Sequence, residues 1–323
     1  MSRVSLTAIT RHWPVIKKLL LPVFMLLIAV IIIHQVRKIA WHDVIAALKA
    51  YRAQTLIHGA MLGAVAYTLY ASFDLIGMKY IKAQVSTPRI LGIAFVAYAI
   101  NQSFGALLGT VGMRFRLYGK QGLSTVAISK LIGLAIVTNW LGYLLVTGTL
   151  FSARLIRLPD TWRLGNDALQ MIGVVMLLLV VSYLLLCRYS RTRAFTIRSE
   201  QVALPSLQLA IAQLAVAALH WFALAGILYL LMNGEVSYVL VLGTYMLTSV
   251  SAVIAHVPGG IGVIEAVFIA VLSGRLPVPQ LMAALLAFRG IFYIGGLLLA
   301  GMVYMLLENK SPRSQPVTAI KAP

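Results

Sequence analysis

Long stretches of apolar residues recur along the whole chain and constrain its fold more than any other feature. A transmembrane helix needs about 20 predominantly apolar residues, and eight stretches approach or exceed that length. They cover residues 19–36, 55–75, 89–108, 124–151, 168–187, 207–231, 238–255 and 279–307. Hydrophobic residues make up 61% of the chain and charged residues only 11%. The sequence therefore predicts an all-α, polytopic transmembrane helical bundle of about eight spans.

The charged residues define the ends of this bundle. We expect a basic N-terminal arm at 1–18, a single transmembrane domain at 19–307 and a short polar tail at 308–323. The net charge is +19. Basic clusters beside transmembrane helices indicate the positive-inside bias and anionic lipid headgroups, so we do not expect nucleic acid as a partner.

The orientation of the chain meets a conflict. The arm at 1–18 and the loop at 188–198 are both rich in basic residues and both favour the cytoplasm. Five predicted spans between them would place them on opposite faces. Either residues 41–52 lie along the membrane interface as an amphipathic helix, or one apolar stretch re-enters instead of crossing. We favour a cytoplasmic N-terminus.

A helix break interrupts the apolar residues after position 255. Pro258, Gly259, Gly260 and Gly262 form the break, and Glu265 follows it. Backbone at membrane depth cannot leave its polar groups unpaired, so a break there implies a site that is buried in protein or lines a cavity.

Glu265 is costly in such a stretch unless it is paired or protonated, and Arg289 in the last span poses the same problem. Two interpretations stay open at this point. The two residues form a structural ion pair, or together they bind a lipid headgroup.

A second glycine-rich break contains Gly109 and Gly112 and leads into Arg114 and Arg116. Side chains two residues apart on a helix point in nearly opposite directions, so we expect only Arg114 to face a common cavity. Its planar guanidinium is suited to bidentate phosphate binding. The alternative is an interfacial loop whose arginines extend toward the headgroups.

The two breaks belong to a probable internal repeat of residues 89–151 and 238–307. Gly109 matches Gly259, and Asn139 corresponds to Arg289, at an offset of 150 residues. Paired, interrupted apolar segments point to the central site of a transporter. The repeats run parallel if all spans cross, and are inverted if one does not.

We therefore predict that both breaks form re-entrant elements that meet near the membrane midplane. The predicted hinge residues are Gly109, Gly112, Pro258, Gly259, Gly260 and Gly262. Arg114, Glu265 and Arg289 are expected to line one polar cavity. The full set of candidate substrate-binding residues is Arg114, Glu265, Arg289, Asn139 and Asn101.

Other functional classes find little support. Cys187 is the only cysteine, and His58, His220 and His256 are isolated, so we expect no metal site and no cofactor. No nucleotide-binding motif occurs, and the eight acidic residues form no paired acid–base arrangement, which argues against an enzyme. Asp74, with lysines nearby, is expected at the membrane interface.

These motifs carry a family resemblance. The segments at 256–266, 285–289 and 109–114, with Gly122, resemble the transmembrane region of the lysylphosphatidylglycerol synthase/flippase family. Within that family the chain is most similar to the stand-alone YbhN-type inner-membrane proteins, formerly grouped as an uncharacterised protein family. The resemblance runs over residues 14–308.

The resemblance implies a multi-pass protein of the bacterial cytoplasmic (inner) membrane that translocates lipid, as a flippase or scramblase-like carrier of a phospholipid or other lipid phosphate. Two-part relatives carry a separate soluble synthase domain, which the short tail after residue 307 is too small to provide. The alternative function is an accessory subunit that presents lipid to a phospholipid-synthesis enzyme. Expected partners are thus membrane lipids, with such an enzyme and a second copy of the chain as further candidates.

Overall fold

The computed structural model describes residues 41–156, 165–190, 194–197, 200–255 and 257–309. The predicted arm at 1–18, the first apolar stretch at 19–36, His256 and nearly all of the tail at 308–323 lie outside these residues. The predictions made for them are therefore not addressed by the structure.

The described part of the chain is almost entirely helical. The α-helices are α1 (Trp41–Lys49), α2 (Ala53–Ile81), α3 (Thr87–Phe104), α4 (Arg114–Gly119), α5 (Thr125–Ser152), α6 (Asn166–Tyr189), α7 (Leu207–Leu231), α8 (Tyr238–Ala255), α9 (Val263–Leu272), α10 (Val278–Phe288) and α11 (Gly296–Asn309). Two π-helical segments, Leu107–Met113 and Arg289–Gly295, lead into α4 and α11, and a short 3-10 turn covers Pro258–Gly260. Strands β1 (Ala194–Ile197) and β2 (Glu200–Ala203) form an antiparallel hairpin between α6 and α7.

The predicted fold class, a helical membrane bundle, is confirmed. Among the described residues, six helical segments are long and apolar enough to cross a membrane. They are Ala53–Ile81, Thr125–Ser152, Asn166–Tyr189, Leu207–Leu231, Tyr238–Ala255 and Val278–Glu308. Helices of this kind satisfy their backbone hydrogen bonds internally, as the hydrocarbon core requires.

Helices α2 and α7 run antiparallel and define the two ends of the bundle. The hydroxyl of Tyr80, near the end of α2, donates a hydrogen bond to the carbonyl of Ala203, just before α7. At the opposite end the hydroxyl of Tyr51, just before α2, donates to the carbonyl of Leu231, the last residue of α7. We call these the Tyr80 end and the Tyr51 end.

The first hairpin, residues 87–119, enters the bundle from the Tyr80 end. Helix α3 starts there, shortly after α2 ends, and the chain reverses at Gly105, whose φ is +91°. The π-helical segment and α4 then lead back. The guanidinium of Arg89, near the start of α3, donates to the side chain of Gln121 over 2.9 Å, so the hairpin begins and ends at the same side.

The second hairpin, residues 238–272, enters from the Tyr51 end. Helix α8 starts there, shortly after α7 ends at Leu231, and α9 packs back along α8. Leu276, which follows α9, lines the same pocket of about 450 Å³ as Tyr51 and Leu231. This hairpin also returns to the end from which it started.

The two hairpins therefore enter the bundle from opposite ends, and a long helix follows each of them. The segments 89–151 and 238–307 share this order of elements and are inverted with respect to each other. The returning arms, 107–119 and 263–272, are shorter than the roughly 20 residues that a crossing helix needs. They coincide with the predicted re-entrant elements.

This arrangement changes the number of crossings between residue 52 and the loop at 188–198. The arm at 1–18 and the stretch 19–36 lie outside the described residues. The stretch 89–108 is one arm of a hairpin and not a separate crossing, so three crossings, by α2, α5 and α6, separate residue 52 from residue 190. Helix α1, the segment suspected of lying at the interface, packs against α10, where Val44 is buried with Met282.

Candidate functional site at the hairpin tips

The tips of the two hairpins meet at a cavity of about 570 Å³ near the middle of the bundle. A Cβ atom on Gly259, in the second tip, would lie 3.3 Å from the carbonyl oxygen of Gln102 in the first. Both tips supply cavity wall: Asn101, Gln102, Gly105, Ala106, Thr110 and Val111 from the first, and Val257, Gly259, Gly260 and Ile264 from the second. The predicted approach of the two breaks is thus confirmed.

The rest of the wall is aromatic and polar, and none of the described lining residues is charged at neutral pH. The aromatic members are Tyr70, Tyr98, Trp140, Trp221, Tyr245 and Tyr293, with Asn139, Thr248 and Ser249 among the polar ones. Asn101 and Asn139, both predicted to bind substrate, line this cavity. Amide and hydroxyl groups set among aromatic rings are typical of small-molecule sites, where a few polar groups fix the orientation of the ligand.

Arg114 forms a fully buried ion pair with Asp74 of α2. The side chains of both residues are 0% exposed. The Nε and Nη2 groups of Arg114 donate to the Asp74 carboxylate over 3.0 and 2.9 Å, and the hydroxyl of Tyr118 donates to the same carboxylate over 2.8 Å. A further N–H of Arg114 reaches the carbonyl of Thr110 over 3.3 Å. These contacts of Arg114 and Tyr118 with Asp74 link the returning arm of the first hairpin to α2.

Arg289 holds the tip of the second hairpin. Its Nε donates to Glu265 over 2.7 Å, and its Nη1 and Nη2 donate to the carbonyls of Gly259 and Gly260 over 3.0 and 3.2 Å. Glu265 also accepts the backbone N–H of Gly262 over 2.8 Å. Of the two interpretations that the sequence left open, the ion pair is the one observed.

The prediction that Arg114, Glu265 and Arg289 line one cavity is wrong, because none of the three belongs to its wall. Arg114 lies 6.0 Å from the ring centroid of Tyr70, and Arg289 lies 5.3 Å from that of Tyr293. Both rings are part of the wall.

The Arg114–Asp74 pair is fully buried, whereas the Arg289 and Glu265 side chains are 16% and 14% exposed. The reason that the arginines do not line the cavity is electrostatic, because a guanidinium in the bundle interior needs a carboxylate as its partner. Arg114 pairs with Asp74 on α2, and Arg289 pairs with Glu265 on α9.

Both arginines lie at junctions between π- and α-helical backbone. The π-helical segment of the first hairpin ends immediately before Arg114, and that of the last span begins at Arg289. π-helical turns inside α-helices are rare and are frequently found at functional sites. This supports the interpretation that the two arginines belong to a functional site.

Backbone conformation differs between the glycines that were predicted as hinge residues in the two breaks. Gly259, Gly260 and Gly262 have φ values of +63°, +59° and +80°, which side-chain-bearing residues rarely adopt. In the first hairpin, however, Gly109 and Gly112 lie within the π-helical segment. The chain reverses before them, at Gly105, and the hinge role predicted for Gly109 and Gly112 stays a prediction.

Gly109 permits a close approach between the two arms of the first hairpin. A Cβ atom there would lie 2.1 Å from the backbone nitrogen of Asn101 and 2.6 Å from the carbonyl oxygen of Ala97, both on α3. Since these contacts are with backbone that cannot move aside cheaply, glycine at this position permits the close packing of the two arms.

Asp74 is the residue that sequence reasoning misplaced. It was expected at the membrane interface because Lys79 and Lys82 follow it, yet it is buried in the core. The available signal was a single carboxylate inside the apolar helix α2, which is by default a functional position. Its partner lies 40 residues away in the sequence, on another element, and no spacing rule connects the two.

Metal binding finds no support in the part of the chain that the structure describes. Within it, no group of three or more His, Cys, Asp or Glu side chains could hold a metal ion.

The fold and the site define a class: a multi-pass helical membrane protein with two inverted hairpins around a central cavity. No protein-family model matches the chain. It is 34% identical to the inner membrane protein YbhN of Escherichia coli over 303 residues, which cover 94% of this chain and 95% of that protein. An uncharacterized protein of Synechocystis is 30% identical over 85% of this chain and 87% of its own length. The chain therefore belongs to the family of YbhN-type inner membrane proteins.

More distant similarity extends to enzymes. The phosphatidylglycerol lysyltransferase of Staphylococcus haemolyticus is 22% identical over 282 residues, which cover 83% of this chain but only 31% of the enzyme. This protein is thus related to the membrane region of lysylphosphatidylglycerol synthases. A match to less than a third of the enzyme does not transfer its enzymatic activity to this chain.

Proposed function

We propose that this protein moves a lipid across the inner membrane by passing the lipid headgroup through the central cavity. The observation that carries the proposal is a polar cavity whose rim is apolar and faces outward. Ile136, Trp140 and Val253 line the cavity, and they are 46%, 40% and 54% exposed. On crossing helices, such exposed apolar side chains face the hydrocarbon of the bilayer.

An opening of this kind suits an amphipathic substrate. A headgroup can occupy the polar cavity while the acyl chains stay in the surrounding lipid, so the apolar part of the substrate never has to leave the membrane. A water-soluble substrate would instead need an aqueous path from one end of the bundle.

The candidate residues divide into two groups in this proposal. Asn101 and Asn139, in the wall, contact the headgroup. Arg114, Glu265 and Arg289 hold the two hairpin tips in position and contribute to binding through the geometry that they maintain. The arginines are therefore not proposed to contact the phosphate directly, because their N–H groups already donate to carboxylates and backbone carbonyls.

The inverted hairpins provide a route to alternating access. In transporters built from inverted repeats, discontinuous helices from both halves meet at a central site, and the halves move relative to each other. Here an exposed ion pair between Lys120 and Glu308 joins the end of the first hairpin to the end of α11 at the Tyr80 end. Opening toward that end would separate these two side chains.

The charge distribution favours a cytoplasmic Tyr80 end. More lysines and arginines lie there than at the Tyr51 end, and a bias of lysine and arginine marks the cytoplasmic side. The described residues are Lys79, Lys82, Arg89, Arg116, Lys120, Lys130 and Arg188 with Glu200 and Glu308 at the Tyr80 end, and Lys49, Arg52, Arg154 and Arg275 with Asp43, Asp167 and Glu235 at the Tyr51 end.

A transbilayer assay with fluorescent lipids of different headgroups, in proteoliposomes of the purified chain, tests the proposal. Gln102→Leu and Asn139→Leu replace polar wall residues and should slow translocation. Gln208→Leu makes the same kind of change on the exposed face of α7 and should leave the rate unchanged.

If the wild-type protein moves no headgroup class faster than protein-free vesicles, the proposal is refuted. The alternative, an accessory subunit that presents lipid to a phospholipid-synthesis enzyme, predicts that result together with co-purification of such an enzyme. If the wall variants and the wild type translocate lipid at equal rates, the protein is still a lipid transporter, but the headgroup does not pass through this cavity.

A further inference from the structure

His220, near the middle of α7, is buried and hydrogen-bonded through both ring nitrogens. Its Nδ1 lies 2.9 Å from the carbonyl oxygen of Ala66 on α2, and its Nε2 lies 2.9 Å from the hydroxyl oxygen of Tyr98 on α3. A carbonyl oxygen only accepts, so Nδ1 carries the hydrogen. In the neutral ring Nε2 is then the acceptor, and the Tyr98 hydroxyl donates to it.

Tyr98 connects this histidine to the central cavity. Its side chain lines the cavity, and its ring stacks on that of Tyr70, another wall residue, with centroids 3.5 Å apart. His220 itself is not in the wall. The tyrosine hydroxyl is therefore the polar link between the imidazole and the space proposed for the headgroup.

The titratable groups around His220 are few in the described part of the bundle. Tyr98 faces it from α3 and Tyr70 from α2, where the two ring centroids are 5.4 Å apart. Beyond Tyr70 lie Asp74 and Arg114, which are paired with each other. No carboxylate makes a hydrogen bond or ion pair with His220 among the described residues, so the ring has no fixed counter-charge.

This distinguishes His220 from the other ionisable groups of the bundle interior. Asp74 and Glu265 are held by arginines, and protonating either carboxylate would break an ion pair. His220 can accept a proton without breaking an ion pair. Histidine is also the side chain that ordinarily changes charge near physiological pH.

We propose that His220 is a proton-binding site coupled to the cavity through Tyr98, and that this coupling supplies the energy for the transport proposed above, on which the inference rests. A proton from the cavity bonds to the Tyr98 oxygen while the original hydroxyl proton passes to Nε2. The proton comes from a hydronium ion in the cavity, so two O–H bonds break, one in hydronium and one in Tyr98, while one O–H bond and one N–H bond form. Water is left in the cavity, and the imidazole becomes a cation. The net change is one proton moved from the cavity to His220.

The consequence for the cavity is a reversal of hydrogen-bond direction. Protonated Nε2 is a donor, so the Tyr98 oxygen must accept from it and the new hydroxyl hydrogen turns away from the ring. Since Tyr98 lines the cavity, that hydrogen becomes available to a headgroup oxygen. Proton binding and headgroup binding then favour each other, and linkage makes the effect reciprocal.

Two measurements test the proposal. The first is nuclear magnetic resonance of ¹⁵N-labelled histidine in lipid nanodiscs, with His220→Gln used for assignment. We expect a resonance whose chemical shift changes with pH and which is missing in the variant. A His220 signal that stays constant over the whole pH range in which the protein remains folded would overturn the proton site, whatever the transport assay shows.

The second is translocation of fluorescent phosphatidylglycerol in proteoliposomes of phosphatidylethanolamine and phosphatidylglycerol, with a pH gradient imposed in either direction. The wild type should respond to the gradient. His220→Gln, whose side chain is not in the wall, should lose that response but still exchange lipid at equal pH. Tyr98→Phe removes the hydroxyl between the cavity and Nε2 and should also lose the response to the gradient. His58→Gln, an exposed histidine on α2, is the matched control and should behave as the wild type.

The outcomes separate the two proposals. The coupling is overturned if the pH gradient does not change the translocation rate of the wild type, or if His220→Gln responds to the gradient as fully as the wild type. Either result leaves the proposal of lipid translocation intact. Absence of transport by the wild type under every gradient refutes the proposed function and the coupling with it, while the resonance titration still decides whether His220 binds a proton.

Discussion

Removal of the Arg114 side chain should destabilise this protein far more than removal of Arg116, two residues later on the same helix. Arg114→Met leaves the carboxylate of Asp74 in a fully buried position with only the Tyr118 hydroxyl to compensate it. Breaking a buried ion pair from one side costs roughly 3–5 kcal/mol. Arg116→Met breaks an ion pair with Glu308 whose two side chains are 54% and 30% exposed, and should cost less than about 1 kcal/mol.

The double variant supplies the decisive comparison. Asp74→Asn alone leaves the Arg114 charge buried and should also cost about 3–5 kcal/mol, so independent effects would add to roughly 6–10 kcal/mol. With Asp74→Asn and Arg114→Met together, both charges are gone and Tyr118 still has an acceptor. The remaining loss is that of a few hydrogen bonds, about 1–3 kcal/mol.

The assay is thermal and denaturant unfolding of the purified variants in detergent, combined as a double-mutant cycle. The expected coupling between the two sites is several kcal/mol. Additive losses, or a loss for Arg116→Met as large as for Arg114→Met, would refute the reasoning. If all variants are as stable as the wild type yet fail to move lipid, Arg114 acts on the substrate directly.

Two further predictions concern glycines, each with a matched control. Gly109→Ala should cost about 1–3 kcal/mol of unfolding free energy, because its Cβ would overlap the backbone of Asn101, whereas Gly133→Ala, with nothing within 4 Å, should stay within about 0.5 kcal/mol; equal melting temperatures would contradict the close packing of the first hairpin. Gly260→Val should impair lipid translocation more than Gly295→Val, because Gly260 has a φ of +59° while Gly295 lies in a π-helical segment; equal losses of activity and of folded protein would instead indicate packing at both positions.

Local chemistry made the helices and the second break predictable. The apolar stretches 207–231 and 238–255 are helices with those same bounds, because a chain in hydrocarbon must satisfy its backbone polar groups internally. The break at Pro258–Gly260 was likewise predictable, since proline and left-handed glycines end a helix wherever it is placed. Charge in an apolar setting marked Arg114, Glu265 and Arg289 as exceptional, but only as single residues.

The first hairpin shows where this reasoning stops. Residues 89–108 are apolar enough to be interpreted as a complete span, yet the chain reverses at Gly105 and returns along α3. A crossing helix and one arm of a hairpin have the same local composition. The difference lies in what packs against them, here the backbone of α3 against Gly109.

The sequence by itself determined that this chain is a helical membrane protein, where most of its helices lie and which residues are out of place in an apolar environment. Only the tertiary structure decided that Arg114 pairs with Asp74, that the hairpins enter from opposite ends, and that the cavity wall is uncharged. Hydropathy and backbone conformation act over a few neighbouring residues, and the sequence records them directly. A buried arginine can pair with any carboxylate that the fold brings close enough. The distance between the two side chains depends on how helices that are far apart in the sequence pack together.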